Sequence, residues 1–330
     1  MTRIVSGIKP SGEMTIGNYL GAMKRWVEHD QNTNECLYFI ANLHAITVRQ
    51  DPETLKKRSL DVVAWLLTLG VDPKQSIIFM QSMIPAHSEI CWILTNFVTV
   101  GELNKMTQFK DKSQKQGKDG QLAGLFEYPV LMAGDVLLYD ADEVPVGDDQ
   151  AQHVELTRNI ATRFNNLYGE TFKIPKATVS KVTGRIKSLK DPNLKMSKSE
   201  DAEDSYVLLQ DSPETVLKKF KRAVTDSDSV VKFDAENKPA ISNLLVIFSG
   251  FTERPIEEIA KEYENAGYGK FKNDVGEAVA NKLSIYQKDF KKYRDDENYL
   301  MEVVKDGNAK ANEIAVKKIK EVYDKLGLIY

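Results

Sequence analysis

The sequence predicts an α/β protein: a doubly wound parallel sheet followed by an α-helical second domain. In the first half, short apolar runs alternate with helical segments, which is the pattern of consecutive βαβ units. After about residue 200, strand-like runs become scarce, and helical periodicity with abundant Lys and Glu replaces them. The length of 330 residues also favours two domains over one.

The predicted sheet has four strands, each a short apolar run. The first is Arg3-Ile4-Val5-Ser6-Gly7-Ile8, and the others cover 36–41, 76–80 and 143–146. Helices are predicted between and after these strands over 16–28, 51–69, 86–97, 131–139 and 149–167. Asp51 and Pro52 open the second helix, because Asp is a favoured N-cap and Pro fits the first helical position.

The second half is predicted to be helical over 214–223, 241–248, 256–263, 274–293 and 308–326. We therefore place the first, Rossmann-like domain at 1–195 and the helical domain at 196–304. We also expect that a C-terminal helix of about 305–330 is able to pack back on the first domain. The basic run Lys218, Lys219, Lys221 and Arg222 fits either phosphate contact or an ordinary solvated helix face.

Composition sets limits on location and partners. No run approaches the ~18 apolar residues of a membrane helix, and the N-terminus lacks a secretory signal, so a cytosolic protein is predicted. The net charge of −3 gives no general sign of nucleic-acid binding, so a polyanion would have to meet local patches. The two cysteines, Cys36 and Cys91, form no CxxC pair, which favours two buried thiols over a zinc site.

Small residues follow the first strand. Gly7-Ile8-Lys9-Pro10-Ser11-Gly12 precedes Thr15-Ile16-Gly17-Asn18, where a helix is predicted to begin. Such a turn lets a phosphate approach the backbone, and the start of a helix offers N–H groups and positive charge. An ordinary turn has the same composition, and the segment has neither a G-x-G-x-x-G fingerprint nor a Walker lysine.

Gly147-Asp148-Asp149-Gln150 comes directly after the fourth strand. The carboxyl ends of parallel strands face the ligand crevice of an open sheet. A glycine there permits close approach, and a carboxylate accepts from ribose hydroxyls. Asp149 fits equally well as the N-cap of the helix that follows.

Lys195-Met196-Ser197-Lys198-Ser199 lies in a polar stretch after Asp191-Pro192. Two lysines flanked by hydroxyls on a loop suit the charge that develops on a leaving pyrophosphate. By itself this pentapeptide also fits a solvated loop. The three segments together are more specific than any one of them.

Together these segments resemble the signatures of class I aminoacyl-tRNA synthetases. Residues 15–18 resemble the family's HIGH box, with Thr and Asn in place of its two histidines, and 195–199 match the KMSKS box letter for letter. The resemblance narrows to the bacterial-type tryptophanyl branch, and the segments that carry it are 6–12, 44–47, 101–103, 106–110, 144–147 and 223–227.

The resemblance implies which residues contact ATP: Lys9, Pro10, Ser11, Gly17, Asn18, Gly147, Asp148, Asp149, Ile186, Lys195, Met196, Ser197 and Lys198. It implies catalytic roles for Thr15, Asn18, Lys110, Lys195, Ser197 and Lys198. Mg²⁺ would be bound chiefly through ATP, so no protein metal site is expected.

Asp135 interrupts the apolar segment 131–139, and a buried lone carboxylate is costly without a donor. The indole N–H is a donor with no acceptor, and the resemblance implies that Asp135 receives it. A neighbouring Arg or backbone N–H is the structural alternative. The implied tryptophan pocket comprises Val5, Gly7, His44, Tyr128, Met132, Asp135, Val136, Val144, Val146 and Gln150.

The remaining histidines and tryptophans carry weaker expectations. His44 fits a substrate contact and a structural role equally, and His153 is expected to face the site with Gln150. His29 and His87 are predicted to be surface or capping residues. Trp26, Trp65 and Trp92 are at apolar helical positions and are predicted to pack in the interior.

The resemblance implies a homodimer that activates tryptophan with ATP and transfers it to tRNA(Trp), with the helical domain reading the anticodon. A tyrosyl-tRNA synthetase is the nearest alternative, since a carboxylate also suits a phenol. A regulatory paralogue without catalysis is the alternative of another class, and the intact Lys195, Ser197 and Lys198 disfavour it.

Lys9 stands where many relatives have Gln and adds a cation beside the expected phosphates. We expect Lys9→Gln to change the KM for ATP or the affinity for inhibitors, because a nearby charge contributes to phosphate binding. Steady-state kinetics on both proteins measure this. Identical ATP KM and inhibitor affinity would reject a role for the Lys9 charge.

Overall fold

The computed structural model describes residues 1–28, 34–107, 122–147, 150–179, 186–197 and 202–330. Within these ranges, no helix combines the length and apolar character that are needed to cross a membrane.

Five parallel strands form one sheet in the order β3-β2-β1-β4-β5, which confirms the predicted α/β class and parallel sheet. The strands are β1 (Thr2–Ile8), β2 (Asn34–Ile40), β3 (Ile77–Met80), β4 (Glu143–Val146) and β5 (Lys176–Val179). β1 lies at the centre, with Val5 beside Leu37 of β2 and Ile4 beside Glu143 of β4. Because the chain extends the sheet from β1 first in one direction and then in the other, the carboxyl ends of β1 and β4 flank a topological switch point.

The α-helices, numbered in chain order, are α1 (Ile16–Asn18), α2 (Lys24–Glu28), α3 (Asn42–Ala45), α4 (Pro52–Thr68), α5 (Ala86–Thr95), α6 (Val100–Asn104), α7 (Ala123–Leu137), α8 (Ala151–Tyr168), α9 (Pro213–Lys221), α10 (Pro239–Thr252), α11 (Ile256–Tyr263), α12 (Gly267–Asp295) and α13 (Glu297–Leu326). Asp51 caps α4 as predicted: its carboxylate accepts from the Thr54 N–H at 2.8 Å. The helix predicted over 16–28 contains a π-helical turn, Tyr19–Met23, between α1 and α2.

The chain divides into two compact units. The first comprises Met1–Ser11, His29–Val179 and Asp296–Tyr330, and the second comprises Gly12–Glu28 and Ser180–Asp295. The sheet lies in the first unit. The second unit, where described, contains α1, α2 and the helices α9 to α12. Its boundaries differ from the predicted 196–304, because residues 12–28 and 180–195 also belong to it and residues 296–304 belong to the first unit.

The last helix closes one edge of the sheet. Gly307 of α13 lies so close to β3 that a Cβ there would be 1.8 Å from the Ile78 carbonyl oxygen. The neighbouring Asn308 side chain accepts from the Met80 N–H at 3.1 Å and donates to the Met80 carbonyl at 3.0 Å. A side-chain amide thus takes the place of a further strand and satisfies the exposed edge of β3.

The interior confirms two of the three tryptophan predictions. Trp26 and Trp65 are buried, but Trp92 is 71% exposed, so its prediction was wrong. Ile90, Ile93 and Leu94 form the buried face of α5, whereas Trp92 lies one turn after Ser88 on the solvent face. Cys36 is buried and Cys91 only half-buried, so the expectation of a buried thiol is fulfilled at Cys36 alone.

We expect Gly307→Ala to destabilise the protein by about 3 kcal/mol, the upper end of the usual cost of overpacking, because the new methyl group cannot fit without moving α13 away from β3. The matched control is Gly269→Ala in α12, where a Cβ would meet nothing within 4 Å. That change should stabilise by roughly 0.5–1 kcal/mol through helix propensity. Urea unfolding measures both, and a neutral Gly307→Ala would contradict the close packing.

Candidate active site

Two side chains at the carboxyl ends of neighbouring strands meet one carboxylate. His44 lies in α3, just after β2, and Gln81 directly follows β3. The Gln81 amide accepts from the Leu43 N–H at 3.0 Å and donates to Asp135 at 2.6 Å. It thereby connects the ends of β2 and β3 to helix α7.

Asp135 is fully buried in α7 and accepts from three side chains. His44 Nε2 is 2.7 Å from Oδ2, while His87 Nδ1 at 2.7 Å and Gln81 Nε2 at 2.6 Å both contact Oδ1. Burial raises the pKa of this carboxyl, but the hydrogen bonds and charges of the two histidines outweigh burial and lower the pKa to about 2. Asp135 is therefore ionised at neutral pH, and its donors are histidine and glutamine rather than Arg or backbone N–H.

His87 was predicted to be a surface or capping residue, and that prediction was wrong. The imidazole is fully buried, and its Nε2 is 2.8 Å from the Tyr139 hydroxyl. Its ring centroid lies 6.2 Å from that of Phe39 and 6.0 Å from that of Phe79. The helix α5 turns this residue inward, towards Asp135, because positions 86, 87 and 90 share its buried face.

One face of α7 carries three residues predicted to contact the amino acid. Tyr128, Met132 and Asp135 are spaced i, i+4 and i+7 and therefore align along the helix. The Tyr128 ring centroid is 6.1 Å from that of His44, and its hydroxyl is 2.9 Å from Nε2 of the buried His153. The structure thus brings His44, Tyr128 and Asp135 together.

The predicted apolar wall lies in one core. Val5, Val136 and Val144 are buried there, and Met132 and Val146 pack against it. A Cβ on Gly7 would be 2.4 Å from the Phe39 ring, so a larger residue at position 7 would displace that ring. Gln150, at the start of α8, donates its N–H to the Gly147 carbonyl at 2.8 Å.

In the second unit, Thr15 and Asn18 form a capping box at the start of α1. The Thr15 hydroxyl and N–H both contact Asn18 Oδ1, at 3.1 and 2.9 Å, and the hydroxyl also accepts from the Asn18 N–H at 3.3 Å. The Ile16 N–H donates to the Val207 carbonyl at 2.9 Å. These bonds occupy Asn18 Oδ1, which leaves the amide N–H groups of that side chain as its donors towards a ligand.

The KMSKS-like segment continues a short antiparallel ladder in the same unit. Lys187 pairs with Lys195, and the Met196 N–H donates to the Ile186 carbonyl at 2.9 Å. The buried Asn243 amide accepts from the Lys187 N–H at 2.8 Å and donates to its carbonyl at 3.1 Å, which fixes the ladder to α10.

Three residues predicted to contact ATP meet beside this ladder. A Cβ on Gly17 would lie 3.5 Å from the Met196 Cβ and 3.7 Å from the Ile186 Cβ. The segment resembling the HIGH box and the start of the KMSKS box are therefore neighbours in the folded chain.

Not all of the predicted ATP contacts can be placed. Asp148, Asp149 and Lys198 are outside the described residues, as are Lys110, predicted to be catalytic, and His29. Lys9, Pro10, Ser11 and Gly147 belong to the first unit, where Lys9 Nζ is 3.5 Å from the Thr47 hydroxyl. Their assignment to ATP stays a prediction.

The basic run of α9 is only partly available to a polyanion. Lys219 is 5% exposed and pairs with Asp211 at 2.7 Å, and Arg222 pairs with Asp204 at 3.0 Å. Lys218 and Lys221 are exposed. The four residues therefore do not form one free patch.

Sequence reasoning missed Gln81, Tyr139 and the role of His87. A signal existed for Gln81, because it directly follows a strand whose carboxyl end faces the crevice. The need of Asp135 for donors was also evident. Which donors meet it depends on the packing of α5 against α7, and one sequence does not reveal that packing.

The low pKa of Asp135 makes the stability of the fold depend on pH. A carboxyl whose pKa is about 2 when folded and about 3.9 when unfolded stabilises the fold above pH ~4 and loses that effect as the pH falls to ~2. We expect the stability advantage of the wild type over Asp135→Asn to be larger at pH 5 than at pH 2, by on the order of 2 kcal/mol. Urea unfolding at both pH values measures it, and a pH-independent difference would contradict the ionised state.

Comparison with known proteins identifies the family. The sequence matches the family described as tRNA synthetases class I (W and Y) over residues 1–284. It is 49% identical over 326 residues to the tryptophan–tRNA ligase of Clostridium tetani (strain Massachusetts / E88), covering 99% of this chain and 96% of the relative.

Two solved structures are similar over nearly their whole length. The tryptophanyl-tRNA synthetase of Mycoplasma pneumoniae has a TM-score of 0.93 and 35% identity, covering 100% of this chain and 98% of that one. The enzyme of Campylobacter jejuni, solved with ADP and tryptophan, has a TM-score of 0.82 and 37% identity, covering 99% and 100%. The resemblance seen in the sequence is therefore confirmed: this chain belongs to the class I tRNA synthetases of the tryptophan and tyrosine family.

Proposed function

We propose that this protein is a tryptophan–tRNA ligase, which joins L-tryptophan to tRNA(Trp) for translation. Membership of the family, and 49% identity to the tryptophan–tRNA ligase of Clostridium tetani, support the reaction class. The main structural support for tryptophan as the substrate is the ionised, fully buried carboxylate of Asp135. It lies on the same face of α7 as Tyr128 and Met132.

The indole N–H suits Asp135 because it donates one hydrogen bond and accepts none. Oδ1 of Asp135 already has two donors, whereas Oδ2 accepts from His44 and has a second lone pair for the indole. A site that pairs with a substrate N–H discriminates against analogues without one by about 10⁴–10⁵-fold. The apolar wall comprises Val5, Met132, Val136, Val144 and Val146, with Gly7, His44, Tyr128 and Gln150 completing the predicted pocket.

The first step forms tryptophanyl-adenylate. A carboxylate oxygen of tryptophan attacks the α-phosphorus of ATP, and the bond from that phosphorus to the bridging β-phosphate oxygen breaks to release pyrophosphate. No side chain needs to form a covalent intermediate, so positioning and charge stabilisation carry the rate. Lys195, Ser197 and Lys198 stabilise the transferring phosphates, aided by Lys110.

Thr15, Gly17 and Asn18 hold the phosphate and adenosine side, together with Ile186 and Met196, which adjoin Gly17. Lys9, Pro10 and Ser11 contribute further phosphate contacts, and Gly147, Asp148 and Asp149 hold the ribose. In the described ranges, no three or more His, Cys, Asp or Glu side chains are grouped to bind a metal. Mg²⁺ would enter bound to the triphosphate, as the family resemblance implies, and would neutralise phosphate charge there.

In the second step a hydroxyl of the terminal tRNA ribose, by family likeness the 2′-hydroxyl, attacks the carbonyl carbon of the adenylate, and AMP leaves. The predicted helical domain, 196–304, reads the anticodon, with the exposed Lys218 and Lys221 as phosphate contacts. The protein works in the cytoplasm as a homodimer, as the family resemblance implies.

The direct test measures amino-acid-dependent exchange of labelled pyrophosphate into ATP, with tryptophan and tyrosine in parallel. We expect exchange with tryptophan only. Asp135→Asn should lower kcat/KM for tryptophan by at least ~100-fold, because the amide also presents N–H groups where the indole needs an acceptor. Thermal unfolding of the variant separates this effect from loss of the fold.

Each other outcome has a defined meaning. Exchange with tyrosine alone would leave the fold assignment intact but contradict tryptophan as the substrate. Exchange with neither amino acid would favour a binding protein without catalysis. If Asp135→Asn catalyses tryptophan-dependent exchange as well as the wild type does, the assigned activity stands, but Asp135 is not the acceptor of the indole N–H.

A further inference from the structure

A buried chain of hydrogen bonds leads from Tyr139 through His87 to Asp135. The Tyr139 hydroxyl is 2.8 Å from His87 Nε2, and His87 Nδ1 is 2.7 Å from Asp135 Oδ1. All three side chains are fully buried. None of the proposed chemical steps uses Tyr139 or His87.

The direction of the bond between His87 and Asp135 follows from the chemistry of the carboxylate. Burial and the Asp135 carboxylate raise the pKa of Tyr139 well above its usual value, so the phenol keeps its proton. The carboxylate of Asp135 can only accept. Nδ1 of His87 therefore donates to Asp135, while its Nε2 is paired with the Tyr139 hydroxyl.

The two oxygens of Asp135 have different surroundings. Oδ1 accepts from His87 and from Gln81, both fully buried, so both of its lone-pair positions are used. Oδ2 accepts from His44, whose side chain is 12% exposed. The oxygen with remaining capacity is thus the one whose partner side chain is partly exposed.

We propose that His87, held by Tyr139, is a positioning residue that fixes Asp135 so that Oδ2 alone is offered to the indole N–H, and that it thereby sets selectivity for a ring N–H. This inference rests on the proposed function. His87 acts through Asp135 and does not touch the substrate.

Packing keeps His87 in place. The centroid of its ring lies 5.6 Å from that of Tyr139, 6.0 Å from Phe79 and 6.2 Å from Phe39. An imidazole enclosed by three aromatic rings cannot turn away from Asp135 without displacing one of them. Such a rigid surrounding is what a selective hydrogen-bonding site requires.

Two substitutions test the contributions of the two nitrogen atoms of His87 individually. In His87→Asn the side-chain amide nitrogen takes roughly the position of Nδ1 and keeps a donor for Asp135. In His87→Gln the longer side chain reaches roughly the position of Nε2, which keeps a partner for Tyr139 and removes the donor for Asp135. The two variants are thus matched in chemistry and differ in which bond they retain.

The readout is kcat/KM for tryptophan and for 3-benzothienylalanine, in which sulfur replaces the ring N–H. We expect His87→Gln to lower kcat/KM for tryptophan by about 10- to 100-fold while that for the sulfur analogue changes little. His87→Asn should keep most of the tryptophan activity. The KM for ATP should be the same in all three proteins.

The inference is overturned if His87→Gln lowers kcat/KM equally for both substrates, since a purely structural role would do that, or if it leaves tryptophan unaffected. If His87→Gln does not fold, Tyr139→Phe decides, because it removes only the hydroxyl: a selective loss with tryptophan supports the inference, and an equal or absent loss overturns it. The wild type tests the proposed function separately. If the wild type does not activate tryptophan, the proposed function itself fails. If the wild type is active but the variants have the same selectivity as the wild type, only the role of His87 is rejected.

Discussion

The ionised carboxylate of Asp135 is the constraint on which the first unit depends. A charge buried without partners costs several kcal/mol, so this residue requires donors from its surroundings. They come from three other segments: the residue after β3, the helix after β2, and α5. The fold can bury the Asp135 charge only if all three donors are within hydrogen-bonding distance of the carboxylate. One side chain thereby determines how the ends of two strands and two helices meet beside the face of α7 that carries Tyr128 and Met132.

In both units a side-chain amide pairs with the backbone groups on the open side of a strand or ladder. In the first, the Asn308 amide pairs with both backbone groups of Met80 and closes the edge of β3. In the second, the Asn243 amide pairs with both backbone groups of Lys187 and holds the ladder that leads to Lys195. A side-chain amide has a donor and an acceptor at the spacing of a peptide group, so it substitutes for a strand where none is available. The segment predicted to stabilise the phosphates therefore begins at backbone that Asn243 holds in place.

Much of the fold was predictable because apolar runs and helical periodicity report burial directly. The central strands, the Asp51 cap and most helices follow from local sequence. β5 was missed, since Lys176-Ala-Thr-Val carries little apolar signal at the rim of the sheet. Trp92 and His87 were both misplaced, because the side of α5 that each faces is decided by what packs on that helix. For the site, motif resemblance supplied Asp135 and the lysines, whereas the partners of Asp135 depend on contacts between residues up to 91 positions apart. The grouping of residues 12–28 with 180–295 is likewise a matter of tertiary contact.

The Asn308 contact also bears on how the chain folds as it is synthesised. Met80 and Asn308 are 228 residues apart, so β3 leaves the ribosome long before the side chain that satisfies its edge. At translation rates of about 5–20 residues per second, the interval is roughly 10–50 s. During that time the nascent sheet presents an open strand, the kind of surface that recruits other chains into aggregates. Production of this protein should therefore be sensitive to translation speed and to chaperones, through the edge of a strand that waits for the last helix.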